Sequence, residues 1–227
     1  MASKTYLRKE DKLLNDNMKI AIFGATGETG RQLVKLALAA GHEVVAYVRD
    51  PSKLGINNEH LTVIEGELTD EQLIESAVTG ANAVISALGP RGGSKNKPIT
   101  QGIQNIITAM KKQNVRRLVI TSTLSAKDPN DQLNFRTRTM VNLVKVTMRD
   151  AYKEIVSTAE MVRNSDLDWT IVRLTMLTNN PKSGKVKVGY VGKGEVGTLI
   201  SRADLAEFLL KQVQDTKYLR QAPAISN

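Results

Sequence analysis

The stretch from Met18 to Gly30, Met-Lys-Ile-Ala-Ile-Phe-Gly-Ala-Thr-Gly-Glu-Thr-Gly, constrains this chain more than any other. Ile20, Ala21, Ile22 and Phe23 form an apolar run without polar alternation, the pattern of a strand buried on both faces. Gly24, Gly27 and Gly30 follow at three-residue spacing, and Leu33, Val34, Leu36, Ala37 and Ala40 then recur with helical period. Strand, glycine turn and helix in this order are the context in which a dinucleotide-binding fingerprint carries meaning. Glycines let the backbone turn tightly and approach a pyrophosphate with no Cβ in the way. The phosphates then lie at the helix N-terminus, where free N–H groups and the macrodipole favour negative charge.

The rest of the chain repeats the alternation. Further strands are expected at Val44–Val48, Leu61–Ile64, Ala83–Leu88, Val115–Ile120 (closing in Thr121-Ser122-Thr123) and Trp169–Val172. The first helix is expected to end near Ala40-Gly41, with glycine at the left-handed C′ position. Thr69 with Gln72, and Ser201 with Asp204, read as capping boxes that open two helices; the second buries Leu205, Phe208, Leu209 and Val213. Between them lie a helix through Ile103, Ile106, Ile107 and Met110 and one long helical segment from Phe135 to Asn164. Beyond Asn179, Lys185–Val191 alternates like a half-exposed strand, and the final residues read as an edge strand or a loose end.

This order predicts an α/β fold: a Rossmann-like doubly wound parallel sheet with helices on both faces and right-handed crossovers. The expected strand order is 3-2-1-4-5-6, with the cofactor across the switch between strands one and four. Residues 18–227 read as a single domain with a small C-terminal substrate-side region. Residues 1–17 are polar and basic, with no packing pattern, and read as a disordered extension.

The 227 residues contain no cysteine, which excludes disulfides, thiolate nucleophiles and Cys-based zinc sites. No apolar run approaches the roughly 18 residues of a membrane span, so a cytoplasmic protein without membrane contact is expected. The formal charge is +9 and the pI about 9.7, a balance that attracts anions. Aromatic residues make up only 4% and no recognition motif appears, so the charge points to an anionic small molecule rather than to nucleic acid. His42 and His60 each precede a strand and therefore belong at the edge away from the ligand, as surface or capping residues. No His, Asp or Glu spacing fits a metal.

At the end of the second strand stand Arg49-Asp50-Pro51. An acid about 20 residues past the glycines is placed to hold a ribose 2′-hydroxyl. Asp before Pro is equally a good N-cap followed by proline at N1, and this is the reading adopted for Asp50. Arg49 and Lys53 are then left to meet a 2′-phosphate, which favours NADPH over NADH.

Several segments together resemble the atypical short-chain dehydrogenase/reductases. They are Gly-Ala-Thr-Gly-Glu-Thr-Gly at 24–30, Val-Arg-Asp-Pro-Ser-Lys-Leu at 48–54, and Ala-Asn-Ala-Val-Ile-Ser-Ala-Leu-Gly at 81–89. Val-Ile-Thr-Ser at 119–122, Leu-Asp-Trp-Thr-Ile-Val-Arg at 167–173 and Ile-Ser-Arg-Ala-Asp-Leu-Ala at 200–206 complete the set. The likeness runs from Met18 to about Val213 and is to the NAD(P)H-binding group that includes biliverdin-IXβ/flavin reductases and NmrA-like proteins. It implies a cofactor site of Gly24, Thr26, Gly27, Glu28 and Thr29 at the pyrophosphate, and Arg49 and Lys53 at the adenosine phosphate. Glu67, Leu88, Gly89 and Thr121 would lie along the cofactor and Ser122 near the nicotinamide. Two departures stand out: Gly66-Glu67-Leu68 replaces a usual Gly-Asp, and Tyr152 has Val156 where a Tyr-x-x-x-Lys pair would place lysine.

With no imidazole, thiol or Tyr–Lys pair at the ligand end, hydroxyls, amides and cations remain. Hydride transfer to an extended conjugated acceptor needs little beyond stacking and proximity, because cofactor and acceptor carry the electronic burden. The expected function is an NADPH-dependent reductase of a planar anionic acceptor, FMN or a bilin, with Ser122 as the catalytic residue and Arg91, Lys95 and Lys97 on the substrate side. The alternative is a non-catalytic NAD(P)-binding sensor or assembly factor of the NmrA-like kind. The oligomeric state is left open.

Overall fold

The computed structural model describes residues 17–89, 98–132, 139 and 145–227. The expected extension at 1–17 therefore lies outside the described residues, apart from Asn17. The first half of the chain runs β1 (Lys19–Phe23), α1 (Glu28–Ala39), β2 (Glu43–Val48), β3 (Leu61–Glu65), α2 (Glu71–Val78), β4 (Ala83–Ser86) and α3 (Pro98–Lys112). The second half runs β5 (Arg117–Thr123), α4 (Arg149–Arg163), β6 (Asp168–Leu174), β7 (Met176–Thr178), β8 (Lys187–Gly189), β9 (Leu199–Ser201), α5 (Arg202–Lys211) and β10 (Ala224–Ser226).

Among the described residues one eight-stranded sheet has the order β3-β2-β1-β4-β5-β6-β10-β8, and β7 pairs β9 in a separate ribbon. The expected 3-2-1-4-5-6 order is thus present, and every pair in it is parallel. Both sheet faces are covered, which explains the unbroken apolar runs. Along β1, Ala21 and Phe23 join Ile74, Ile103, Ile106 and Met110 of α2 and α3. Ile20 and Ile22 point the other way, to Leu33 and Val34 of α1 and Leu205 and Leu209 of α5. The same two-residue alternation sorts Leu118 and Ile120 of β5 from Val119.

The structure corrects four local expectations. The Thr69–Gln72 box does not form: α2 starts after Asp70, whose carboxylate turns back to accept the Glu67 N–H at 2.6 Å and caps nothing. The long helix expected from Phe135 is interrupted among the described residues, because Met148 leaves helical geometry (φ −126°, ψ 48°) and α4 begins at Arg149; residues 135–138 and 140–144 lie outside the described residues. The last residues are neither an edge strand nor loose: β10 is interior, parallel to β6 and antiparallel to β8. Ser201 does cap α5 by accepting the Asp204 N–H at 3.0 Å, but the reciprocal bond is absent. The Ser201 N–H instead donates to Asn227 Oδ1 at 3.2 Å.

Candidate functional site

The strands β1 and β4 diverge into helices on opposite faces, and the glycine turn sits in the crevice outside their carboxyl ends. Gly24 leaves β1 at φ +80°, and a Cβ there would lie 2.9 Å from the Ala87 carbonyl carbon and 3.0 Å from Leu88 N. A Cβ on Gly30 would fall 2.1 Å from Gly24 O, so glycine lets α1 rest on the turn. Gly27 occupies the N-cap of α1, and no side chain caps that helix. The first N–H groups of α1 are consequently left facing the crevice for an anion. The cradle fits the diphosphate of a dinucleotide.

This crevice opens into a cleft of about 780 Å³, within the range of small-molecule and cofactor sites. Gly24, Thr26, Gly27, Glu28 and Thr29 form its floor, Arg49 and Glu67 one end, and Leu88 and Gly89 the other. Tyr47 lines it as well, packed on Phe23 with ring centroids 5.1 Å apart, and donates its hydroxyl to Glu67 O at 2.6 Å. Burial, then the carboxylates of Asp70 and Glu67, push its pKa up to about 12, so this phenol acts as a brace and not as an acid near neutrality. The ribbon side closes the cleft with Leu177 and Arg202. Arg202 Nε lies 2.8 Å from Glu28 Oε2 and its Nη1 donates to Asn179 Oδ1 at 2.8 Å.

At the Leu88-Gly89 end a second cavity, about 70 Å³, adjoins the cleft and shares Leu88, Gly89 and Ile99 with it. Thr121, Ser122 and Thr123 enter it from the end of β5, and Glu154, Ile155 and Thr158 from α4. The Thr121 hydroxyl donates to Ser86 O at 3.4 Å and Leu88 O at 3.3 Å, tying the ends of β4 and β5 together. No hydrogen bond engages the Ser122 hydroxyl among the described residues. Tyr152 lines neither space.

The family model described as "NAD(P)H-binding" matches residues 24–216. The chain belongs to this NAD(P)H-binding family. One relative, UPF0659 protein YMR090W of Saccharomyces cerevisiae, is 27% identical over 212 residues, covering 86% of this chain and 87% of that one. Photosystem II assembly factor Ycf39 of Synechocystis is 24% identical over 208 residues, 87% of this chain and 59% of that one. Among solved structures, a short-chain dehydrogenase/reductase from Veillonella parvula in complex with NADP superposes with TM-score 0.75 at 21% identity, covering 93% and 95% of the two chains. ChuY, an anaerobilin reductase from Escherichia coli O157:H7, gives TM-score 0.72 at 21% identity over 92% and 96%. These structures share the Rossmann-like fold of the family.

The cleft brings together most of the residues expected to hold the cofactor: Gly24, Thr26, Gly27, Glu28, Thr29, Arg49, Glu67, Leu88 and Gly89. Thr121 and Ser122 lie instead on the adjoining cavity. Lys53 is on the wall of neither; its Nζ pairs with Asp50 Oδ2 at 2.7 Å. Asp50 caps the short turn Pro51–Lys53 by accepting the Ser52 N–H at 3.1 Å, as expected. Arg91, Lys95 and Lys97 lie outside the described residues. His60 is exposed, but His42 corrects the expectation of a surface or capping residue: it is 2% exposed, and Nδ1 accepts the Met18 N–H at 3.4 Å. Its position at the start of β2 keeps it at the far edge of the sheet. Among the described residues no group of three or more His, Asp or Glu could hold a metal, and no helix is long and apolar enough to cross a membrane.

Sequence reasoning missed Glu154 and Arg202. Glu154 shares a helical face with Thr158 and Val162, all buried, at four-residue spacing. A polar pair on a stripe ending in valine is the only signal, and its meaning depends on α3, which is distant in sequence. Arg202 is the first residue of α5 and reaches the cleft only through the β7–β9 ribbon.

Proposed function

We propose that this chain is an NADPH-dependent reductase whose acceptor is a planar conjugated molecule of the flavin or bilin class. The observation that carries the reading is the join between cleft and cavity: a dinucleotide-sized groove ends at Leu88-Gly89 beside a pocket lined by hydroxyls, apolar side chains and the Glu154 carboxylate. NADPH, when bound, supplies the hydride. The glycine turn holds the diphosphate, Arg49 faces the adenosine end, and Leu88 and Gly89 set the floor on which the two rings meet. Ser122 donates to a carbonyl of the acceptor or to the nicotinamide amide. Val156 replaces the lysine of a Tyr–Lys pair, which argues against alcohol–ketone chemistry and for an acceptor that takes hydride without a dedicated acid. The bilin reductase ChuY shares the fold and is in keeping with this class of acceptor.

The test follows NADPH oxidation anaerobically with FMN, riboflavin and biliverdin. Turnover above the free-solution rate with at least one of them is the expected result. A second reading, a cofactor-binding sensor or assembly factor, draws on the relative that assembles photosystem II. Tight NADPH binding with no turnover of any acceptor would reject the reductase and favour that second reading.

A further inference from the structure

We infer that Glu154 makes the inner end of the acceptor cavity a recognition site for a cyclic amide N–H, so that the acceptor enters by its imide or lactam edge with its anionic groups outward. The inference rests on the reductase reading above and names which part of the acceptor the cavity takes. Glu154 is 2% exposed, yet it lines the cavity. Its Oε1 accepts the Ile99 N–H at 2.7 Å and the Thr100 N–H at 3.4 Å, at the start of α3. The Thr100 hydroxyl lies 3.0 Å from Thr158 Oγ1, which fixes α3 against α4 at this point. Both hydrogen bonds described for the carboxylate therefore fall on one oxygen.

A buried carboxylate costs free energy unless cations or hydrogen bonds compensate it. No lysine or arginine pairs with Glu154 among the described ion pairs. Two backbone donors use only part of the capacity of a carboxylate, which accepts at both oxygens. What suits the remainder is a neutral N–H donor. A phosphate or propionate at the same place would meet a like charge in a poorly solvated pocket and be disfavoured. Across the cavity, Ser122 and Thr123 supply hydroxyls that suit carbonyl oxygens. Carboxylate and hydroxyls together complement an edge in which an N–H stands beside a carbonyl. The isoalloxazine imide and the terminal lactam of a bilin both have that edge. The cavity, about 70 Å³, has room for such an edge, and the rest of the ring would lie toward the adjoining cleft.

The test compares riboflavin with 3-methylriboflavin, and biliverdin with its lactim methyl ether, as ligands of the full chain saturated with NADP⁺ and as acceptors with NADPH. Loss of a hydrogen bond to a charged group predicts that the methylated probes bind about tenfold or more weaker. Glu154→Gln keeps a carbonyl oxygen for the α3 N–H groups and puts an NH2 where the second oxygen stood. It should bring each pair of probes within about twofold of each other, with melting temperature and NADP⁺ affinity unchanged. Equal affinity for methylated and unmethylated probes in the natural protein overturns the inference whether or not the variant folds. Discrimination that survives in Glu154→Gln overturns it too. In both cases turnover with NADPH persists, so the reductase reading stands. Neither binding nor turnover of any probe overturns both.

Discussion

Arg49 and Asp50 are neighbours with different tasks. The Asp50 carboxylate is engaged by Lys53 and Ser52, which hold its pKa below the usual range. It is thereby withdrawn from the cleft, whereas Arg49 is exposed on the cleft wall, where the proposed reading has it meet the adenosine end. Its planar guanidinium suits a 2′-phosphate. Arg49→Ala is expected to weaken NADPH binding by about 1.5–3 kcal/mol, the scale of a charged hydrogen bond, and to leave NADH little changed. Equal losses in titrations with the two cofactors would refute that role. Arg202 invites a different experiment. Glu28 puts a carboxylate in the first turn of α1, where the proposed reading seats a diphosphate, and Arg202 lies 2.8 Å from it. Arg202→Gln should weaken both cofactors alike, while Arg202→Gln with Glu28→Gln should recover much of the loss, because the repelling charge goes too. The pair is partly solvated and contributes little to stability, roughly 0–1 kcal/mol. A large fall in melting temperature, with affinity intact, would make it a structural pair instead.

Elements that meet through distant residues were the least legible in the sequence, and the loop after β5 shows why. Asp131 in that loop and Arg173 on β6 form a fully buried pair, with Nη1 to Oδ2 at 2.6 Å and Nη2 to Oδ1 at 2.9 Å. Arg173 Nε also donates to Ala222 O at 2.6 Å, and Val191 N donates to Asp131 Oδ1 at 3.0 Å. One ion pair thus joins the β5 loop, β6, the approach to β10 and the chain after β8. Removing one partner leaves an uncompensated buried charge, so Asp131→Ala is expected to cost about 3–5 kcal/mol in urea unfolding. A loss below about 1 kcal/mol would show that water or another group takes over. The motif containing Arg173 was visible, yet its partner lies 42 residues away with no pattern to announce it. The helices fared in proportion to how local their signals were. The stripe of α1 and the cap of α5 were readable. The start of α2 was not, because the Asp70 carboxylate prefers the Glu67 N–H to a cap, nor was the break at Met148, which no glycine or proline marks.

At the scale of the molecule, topology was the most legible property. Apolar runs buried on both faces, alternating with helices, leave few arrangements once crossovers are right-handed, and the order from β3 to β6 follows. The interior place of β10 did not follow, since three residues carry too little pattern to separate an edge from a middle strand. Burial of polar groups was equally hidden, and it sets how the whole fold responds to pH. His42 is buried and desolvation lowers its pKa from 6.5. Between that lowered value and 6.5 the unfolded chain binds a proton that the folded chain does not, so stability falls as the pH drops through this window. Asp204 is also buried. Burial alone would raise its pKa, but the Ser183 N–H, the Ser201 hydroxyl and the Gly184 N–H outweigh it and hold the value at about 2 against 3.8. Its contribution is present above 3.8 and is lost as the pH falls toward 2. The folding free energy from urea titrations should therefore decline in two stages on acidification, first below about pH 6.5 and again below about pH 4. His42→Asn places an amide oxygen where Nδ1 accepts the Met18 N–H and cannot take up a proton in this range. It should abolish the first stage and leave the second. Superimposable pH profiles for the variant and the natural protein would show that His42 does not set the upper stage.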